Sequence, residues 1–399
     1  MQKGNIGILT SGGLAPCLSA SIGRLIKQYT NKVPEKEIIG YLNGYKGLLQ
    51  GKKIKVTDKI RENAELLYKY GGSPIGNSRV KLSNKEDCIK KGYIKTNENP
   101  LDVAAKQLEK DNIAILHTIG GDDTNTTARE LSNYMAEKGY KLTVVGLPKT
   151  VDNDVVPIKQ TLGAITAAEQ GALFFKNVAN ENTTSSRQLI IHEVMGRHCG
   201  WLTAATAVEY RELLNSYNFL PEFLIERKRW DIDALIIPEL EYDLHKEIKR
   251  LKRRMDEKDS INVFLSEGAG ISTIIKEMEA NGEEVQRDAF GHVKLDELNP
   301  GKWFADKFEE ELEADKVLVQ KSGYFARSAA PCKRDLELII KTADLAVEEA
   351  LKQKSGVIGL DEENDNQLTC IDYERIKGGK PFDTKQAWFV KLLKDIGQK

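Results

Sequence analysis

The stretch IAILHTIGGDDTNTTARELSNYMAEKG, residues 113–139, decides the architecture of this chain. It opens as a near-continuous apolar run, turns on Gly120 and Gly121, then carries apolar residues at helical spacing as far as Gly139. A strand buried on both faces loses the polar alternation of a one-sided strand, and a helix following it at once returns the chain across the sheet. The unit recurs. NIGILT (5–10) precedes the helical pattern CLSASIGRLIKQY, and KLTVVGLPKT (141–150), RQLIIHEVMG (187–196), ALIIPE (234–239) and INVFLSEGAG (261–270) repeat the apolar run. Helical patterns between these runs imply right-handed crossovers and a doubly wound α/β fold. Ligands of such folds lie beyond the carboxyl ends of the strands. The clusters TSGGLAP, IGGDDTN, PKTVDND, EVMGRHCG and SEGAG all fall there.

At 399 residues the chain is long enough for two or three domains. Lys plus Arg number 59 against 60 for Asp plus Glu, so neither a nucleic-acid-binding surface nor an acidic tail is indicated. No apolar run reaches the ~20 residues that span a bilayer. The N-terminal MQKGNIGILTSGG lacks the features of a secretory signal, and the expected compartment is the cytoplasm. Five cysteines (Cys17, Cys88, Cys199, Cys332 and Cys370), scattered and without a CxxC pair, fit a reducing compartment and small buried roles. His192 and His198 stand six apart with no third ligand at useful spacing, which argues against zinc. RLKRRMDEKD (250–259) reads as a solvated helix face and turn.

Each motif carries two readings. Gly12 and Gly13 suit either an anion held against backbone amides or a tight turn needing positive φ. In GGDDTNTT, Asp122 is a magnesium candidate beside a phosphate, whereas either Asp122 or Asp123 also suits the N-cap of a helix beginning near Thr124. PKTVDND supplies Lys149 and the carboxylates of Asp152 and Asp154, spaced to share one side as base and metal or structural partner, or else a loop built on Asx turns. Arg197 in EVMGRHCGW fits a guanidinium fork on phosphate. Arg79, ending GGSPIGNSR, is a phosphate candidate or a surface arginine. Tyr324 and Arg327 in GYFARS fall on one side of a turn or helix.

Taken together, TSGGLAP, GGSPIGNSR, GGDDT, PKTVDND, EVMGRHCG and KSGYFARS occur in the order found in phosphofructokinases, from about Asn5 to RIKGGKPFD near the C-terminus. The chain resembles that family, which phosphorylates the 1-hydroxyl of fructose 6-phosphate. The resemblance implies two Rossmann-like doubly wound domains with the active site in the cleft between them. It makes Asp152 the base for the sugar hydroxyl, with Thr150 and Val151 beside it, and Asp122 the holder of Mg2+. It gives Gly12 and Arg79 to the donor phosphates, and Met195, Gly196 and Arg197 to the substrate. Glu267 falls to a sugar hydroxyl, and Tyr324 with Arg327 to the sugar phosphate.

ATP-using members typically carry glycine at the positions of Asp123 and Lys149, so the chain resembles the pyrophosphate-dependent branch. Two unit charges ~4 Å apart repel by about 4 kcal/mol at an effective dielectric near 20. Asp123, standing where a nucleotide α-phosphate begins, would thereby disfavour ATP about a thousandfold. Lys149 would stabilise the departing phosphate. Three departures from the ATP-dependent bacterial pattern accompany this: Leu14 in place of aspartate, FGHVKL (290–295) with Lys294 in place of an arginine, and Gln188 beside Arg187. The implied partners are pyrophosphate and fructose 6-phosphate, in a reversible step of glycolysis and gluconeogenesis, with a homodimer as the simplest assembly and neither nucleic acid nor membrane. The implied domains are a donor-binding body over 1–163 rejoined by about 294–355, a sugar-phosphate-binding body over 164–293, and an extension over 356–399 packing back. The rivals are an ATP-dependent phosphofructokinase and a non-catalytic phosphate-sensing subunit.

Overall fold

A computed structural model describes residues 4–286 and 298–398. Its strands are β1 (Asn5–Thr10), β2 (Ile38–Tyr41), β3 (Lys53–Lys55), β4 (Ile113–Gly120), β5 (Thr143–Pro148), β6 (Gln188–Val194), β7 (Ala234–Ile236), β8 (Ser260–Ser266), β9 (Lys316–Lys321), β10 (Gly356–Asp361) and β11 (Gln367–Ile371). They form two sheets, each within its own compact unit.

The first unit comprises Met1–Thr166 and Arg327–Lys380. Its sheet runs β11-β10-β5-β4-β1-β2-β3, parallel through the middle with an antiparallel strand at each edge. Every residue of β4 and β5 is buried, as their unbroken apolar runs require. Register decides what lies at the carboxyl end. Thr10 faces Ile119 across β1 and β4, and Gly120 faces Pro148 across β4 and β5. The turns TSGG, GGDD and PKTVDND therefore leave the sheet side by side. His117 sits wholly buried in β4, bonded to the Tyr29 hydroxyl at 2.6 Å and to Val145 O at 3.2 Å. Burial pushes its imidazole down to about 4.

The second unit comprises Ala167–Ala326 and Pro381–Lys399, around the all-parallel sheet β7-β8-β6-β9. Val194 faces Ser266 and Glu193 faces Lys321, which sets the turns EVMGR, SEGAG and KSGYF along one end of this sheet. Its core is aromatic. Phe175 stacks on His192 at 5.2 Å, and Phe264 meets both rings edge-on. The His192 ring bonds Ser322 Oγ at 2.8 Å, and burial pushes it down to about 3.

The division differs from the expected one at two places. The described residues 298–326 belong to the second unit, because β9 pairs with β6. The segment 356–399 is no appended extension: β10 pairs in parallel with β5 inside the first sheet, and only Pro381–Lys399 joins the second unit. The charge run 250–259 also differs from a merely solvated face. It ends the helix Leu244–Lys258, and Arg254 and Lys258 reach the buried Asp233 at 3.0 and 2.8 Å. A carboxylate removed from water demands such partners. None of the five cysteines forms a disulfide, and Cys17, Cys88, Cys199 and Cys370 are buried.

Candidate active site

In the first unit the loop after β1 is pinned to the loop GNSR. Gly12 N–H donates to Ser78 O at 2.9 Å, and Asn77 Nδ2 donates to Gly12 O at 2.7 Å. Gly12 has φ +87°, and a Cβ there would stand 3.3 Å from the Lys149 ammonium, so this turn accepts glycine for both conformation and space. Lys149, 4% exposed, donates to Gly13 O at 2.7 Å. Burial holds its ammonium below the usual lysine range; the carboxylates of Asp152 and Asp154 pull against that shift, and Arg79 adds to it. The structure thus gathers Gly12, Gly13, Arg79 and Lys149 from three separate turns. Arg79 itself is exposed, with its Nη2 3.7 Å from the Cβ position of Gly13.

The helix after β4 spans Asp122–Glu137, two residues earlier than the sequence suggests, and its N-cap is Gly121 with no side-chain cap bond. Neither aspartate is the cap. Both lie in the first turn, where the helix dipole favours negative charge. Asp122 is half-buried, whereas Asp123 is 63% exposed and pairs with Lys81 at 2.8 Å. Nothing in the spacing of GGSPIGNSRVKL singles out Lys81; the pairing arises only when that loop folds over the helix start.

The segment after β5 is built by Thr150 and Asn153. Thr150 Oγ1 accepts from Asp152 N–H at 3.1 Å and donates to Asp154 at 3.2 Å, while Thr161 Oγ1 donates to Thr150 O at 2.8 Å. Asn153 adopts φ +56° and holds Thr161 N–H at 2.8 Å. Val151 is buried and Asp152 half-buried. Burial raises the Asp154 carboxyl above its ordinary range, and the negative charge of Asp122 raises it further. Asp122 and Asp154 are therefore electrostatic neighbours, although 32 residues of sequence separate them. Two adjacent oxygen donors of this kind suit magnesium, which takes one or two carboxylates and completes its shell with water and substrate phosphate.

In the second unit the MGR and SEG turns interlock. Glu267 N–H donates to Val194 O at 2.9 Å, Ser266 Oγ donates to Gly196 O at 2.6 Å, and Gly268 N–H donates to the same oxygen at 3.2 Å. A Cβ on Gly268 would meet Arg197 O at 1.8 Å. Met195 packs against Gly323, Arg197 is exposed and Glu267 half-buried. Tyr324 (79% exposed) and Arg327 lie one turn apart on the helix Gly323–Arg327. Arg187 is committed elsewhere: its guanidinium bonds Glu313 O and Asp256, and its backbone has φ +44°. Gln188 is buried at the start of β6. Lys294 lies outside the described residues.

Each unit carries a mainly parallel sheet whose strand-end turns bring together glycine, acidic and basic residues, the residue types that phosphate chemistry uses. The chain belongs to the phosphofructokinase family, whose pattern it matches over residues 5–350. It is 58% identical over 393 residues to the pyrophosphate–fructose 6-phosphate 1-phosphotransferase of Methylotuvimicrobium alcaliphilum, covering 98% of this chain and 96% of that one. It is 52% identical over 393 residues to the enzyme of the same name from Propionibacterium freudenreichii, covering 98% and 97%. The fold is similar to the crystal structure of a pyrophosphate-dependent phosphofructokinase from Nitrosospira multiformis, with a TM-score of 0.70 at 20% identity over 97% of this chain and 91% of that one.

Proposed function

We propose that the chain transfers a phosphoryl group from pyrophosphate to the 1-hydroxyl of D-fructose 6-phosphate, giving fructose 1,6-bisphosphate and orthophosphate, and that it runs in both directions. The observation that carries this is the buried Lys149 ammonium, 2.7 Å from Gly13 O in the glycine turn and under the field of Asp152 and Asp154. A cation so placed can offset the charge of a leaving phosphate that bears no nucleoside. The near full-length identity to pyrophosphate-using relatives supports the same donor.

In this mechanism Asp152 accepts the proton of the sugar hydroxyl, held by the Thr150 bond to its own amide. Lys149, Gly12 and Arg79 bind the donor, and Asp123 discourages a longer polyphosphate. Asp122, with Asp154 beside it, would hold magnesium, which when bound spreads the charge of the transferring phosphoryl group. Met195, Gly196, Arg197 and Glu267 of the second unit bind the sugar, and Tyr324 with Arg327, on the helix Gly323–Arg327, grips its phosphate. The first unit is thus the donor-binding body and the second the sugar-binding body, in a cytoplasmic homodimer. Among the described residues no helix is long and apolar enough to cross a membrane.

A coupled assay of fructose 1,6-bisphosphate formation with each donor tests this. Turnover with pyrophosphate far above that with ATP is expected. The opposite ranking refutes the donor assignment, and calorimetric binding of fructose 6-phosphate without transfer from either donor refutes catalysis.

A further inference from the structure

The segment RIKGGK, residues 375–380, closes the family resemblance but supplies no residue to the function above. In the first unit it runs antiparallel to residues 154–158, just after the turn that holds Asp152. Val156 N–H donates to Lys377 O at 2.7 Å, Lys377 N–H donates to Val156 O at 3.1 Å, and Lys380 N–H donates to Asp154 O at 2.9 Å. The Lys380 ammonium fastens the end, donating to Ile158 O at 2.9 Å and pairing with Glu362 at 2.7 Å.

Gly378 lies within this ladder, against Asp122. A Cβ on Gly378 would stand 1.8 Å from Asp122 Oδ2, 2.4 Å from Cγ and 2.9 Å from Cβ. No side chain fits there unless the carboxylate or the ladder moves. The constraint is steric alone, because Gly378 is not among the residues of positive φ. Its neighbour Gly379 is the reverse case, with φ +75° and nothing within 4 Å of its Cβ position. Asp122 has little freedom to yield: it is the first residue of its helix, and its side chain has only two rotatable bonds.

We infer that residues 377–380 are a positioning strap: Gly378 fixes where the Asp122 carboxylate stands relative to Asp154, and so sets the affinity of that pair for a divalent cation. The strap bonds to Asp154 through one backbone amide and bounds Asp122 through the missing side chain two residues earlier. One short stretch thereby fixes two carboxylates that come from different strand ends. This inference rests on the proposal that Asp122 faces the metal.

The test uses the full-length protein, titrated with Mn2+ and followed by electron paramagnetic resonance in the presence of methylenediphosphonate, a non-transferable pyrophosphate analogue. Gly378→Ala should weaken Mn2+ at least tenfold while leaving the KM for fructose 6-phosphate within twofold. Gly379→Ala strains the same loop without touching Asp122 and should stay within threefold of the parent. In an Asp122→Gly background, where the clash is gone, adding Gly378→Ala should cost nothing more. Parent-like Mn2+ affinity in Gly378→Ala, or an equal loss in Gly379→Ala, overturns the strap. If Asp122→Gly alone binds Mn2+ like the parent, the metal role of Asp122 itself fails and the strap's with it. Should Gly378→Ala not fold, Lys380→Met, which loosens the same strap from its end, should weaken Mn2+ at least threefold; an unchanged affinity there also overturns the inference.

Discussion

The substitution Asp123→Gly tests donor selection most directly, and the structure changes its expected size. From the sequence, an aspartate ~4 Å from a nucleotide phosphate costs about 4 kcal/mol at an effective dielectric near 20. The side chain is 63% exposed and Lys81 stands 2.8 Å from it. Water and a counter-charge both screen it, so the repulsion falls toward the bulk-water limit of about 1 kcal/mol. An intermediate value of about 1–2 kcal/mol corresponds to roughly a five- to thirtyfold change. In the coupled assay, Asp123→Gly should therefore raise kcat/KM for ATP by that factor and lower it several-fold for pyrophosphate. Lys81→Ala should act oppositely, making ATP about two- to fivefold worse, because the aspartate loses its counter-ion. A pyrophosphate-to-ATP ratio that stays within twofold of the parent in Asp123→Gly would refute the charge gate, whatever happens at Lys81.

Other outcomes follow from the same geometry. Asp152→Ala should lower kcat by about 10²–10⁴ with the KM for fructose 6-phosphate nearly unchanged, since a general base acts in the transition state; steady-state kinetics in both directions checks it. Lys149 is held below the usual lysine range by burial, so the basic limb of kcat against pH should fall below the ordinary ~10.4. Lys149→Met should remove that limb and most of the turnover. His192 and His117 are held at about 3 and about 4 by burial, so the unfolded chain binds more protons than the folded one between those values and about 6.5. Folding stability should then fall as pH drops through that window, by up to about 1.4 kcal/mol per pH unit for each histidine. His192→Phe should lower the slope between pH 4 and 6 by up to about 1.4 kcal/mol per pH unit, read from urea unfolding midpoints at constant m-value.

Much of the molecule is visible in local sequence. Runs such as IAILHTIGG and RQLIIHEVMG announce buried parallel strands because both faces are covered and no polar alternation survives. Clusters of glycine with charged residues directly after them mark the ligand-bearing ends, since strand ends in such sheets open onto loops that backbone amides and side chains share. Short or edge strands leave weaker traces: KIK of β3 is wholly exposed and QLTCI of β11 only partly buried. Neither carries the burial that writes a pattern.

The chain by itself determined its α/β class, its family, and the residue types at each strand end, because burial and turn chemistry act on neighbours along the backbone. Tertiary structure alone decided which turns meet. It set Lys81 against Asp123, Lys149 behind Gly12, and Asp122 beside Asp154 with Gly378 filling the last space. It also withdrew Arg187 into a structural role and carried β10 back to β5. Such pairings depend on strand order and register, and a carboxylate's charge or a missing methyl acts through space over a few ångströms, a distance that spacing along the chain does not encode.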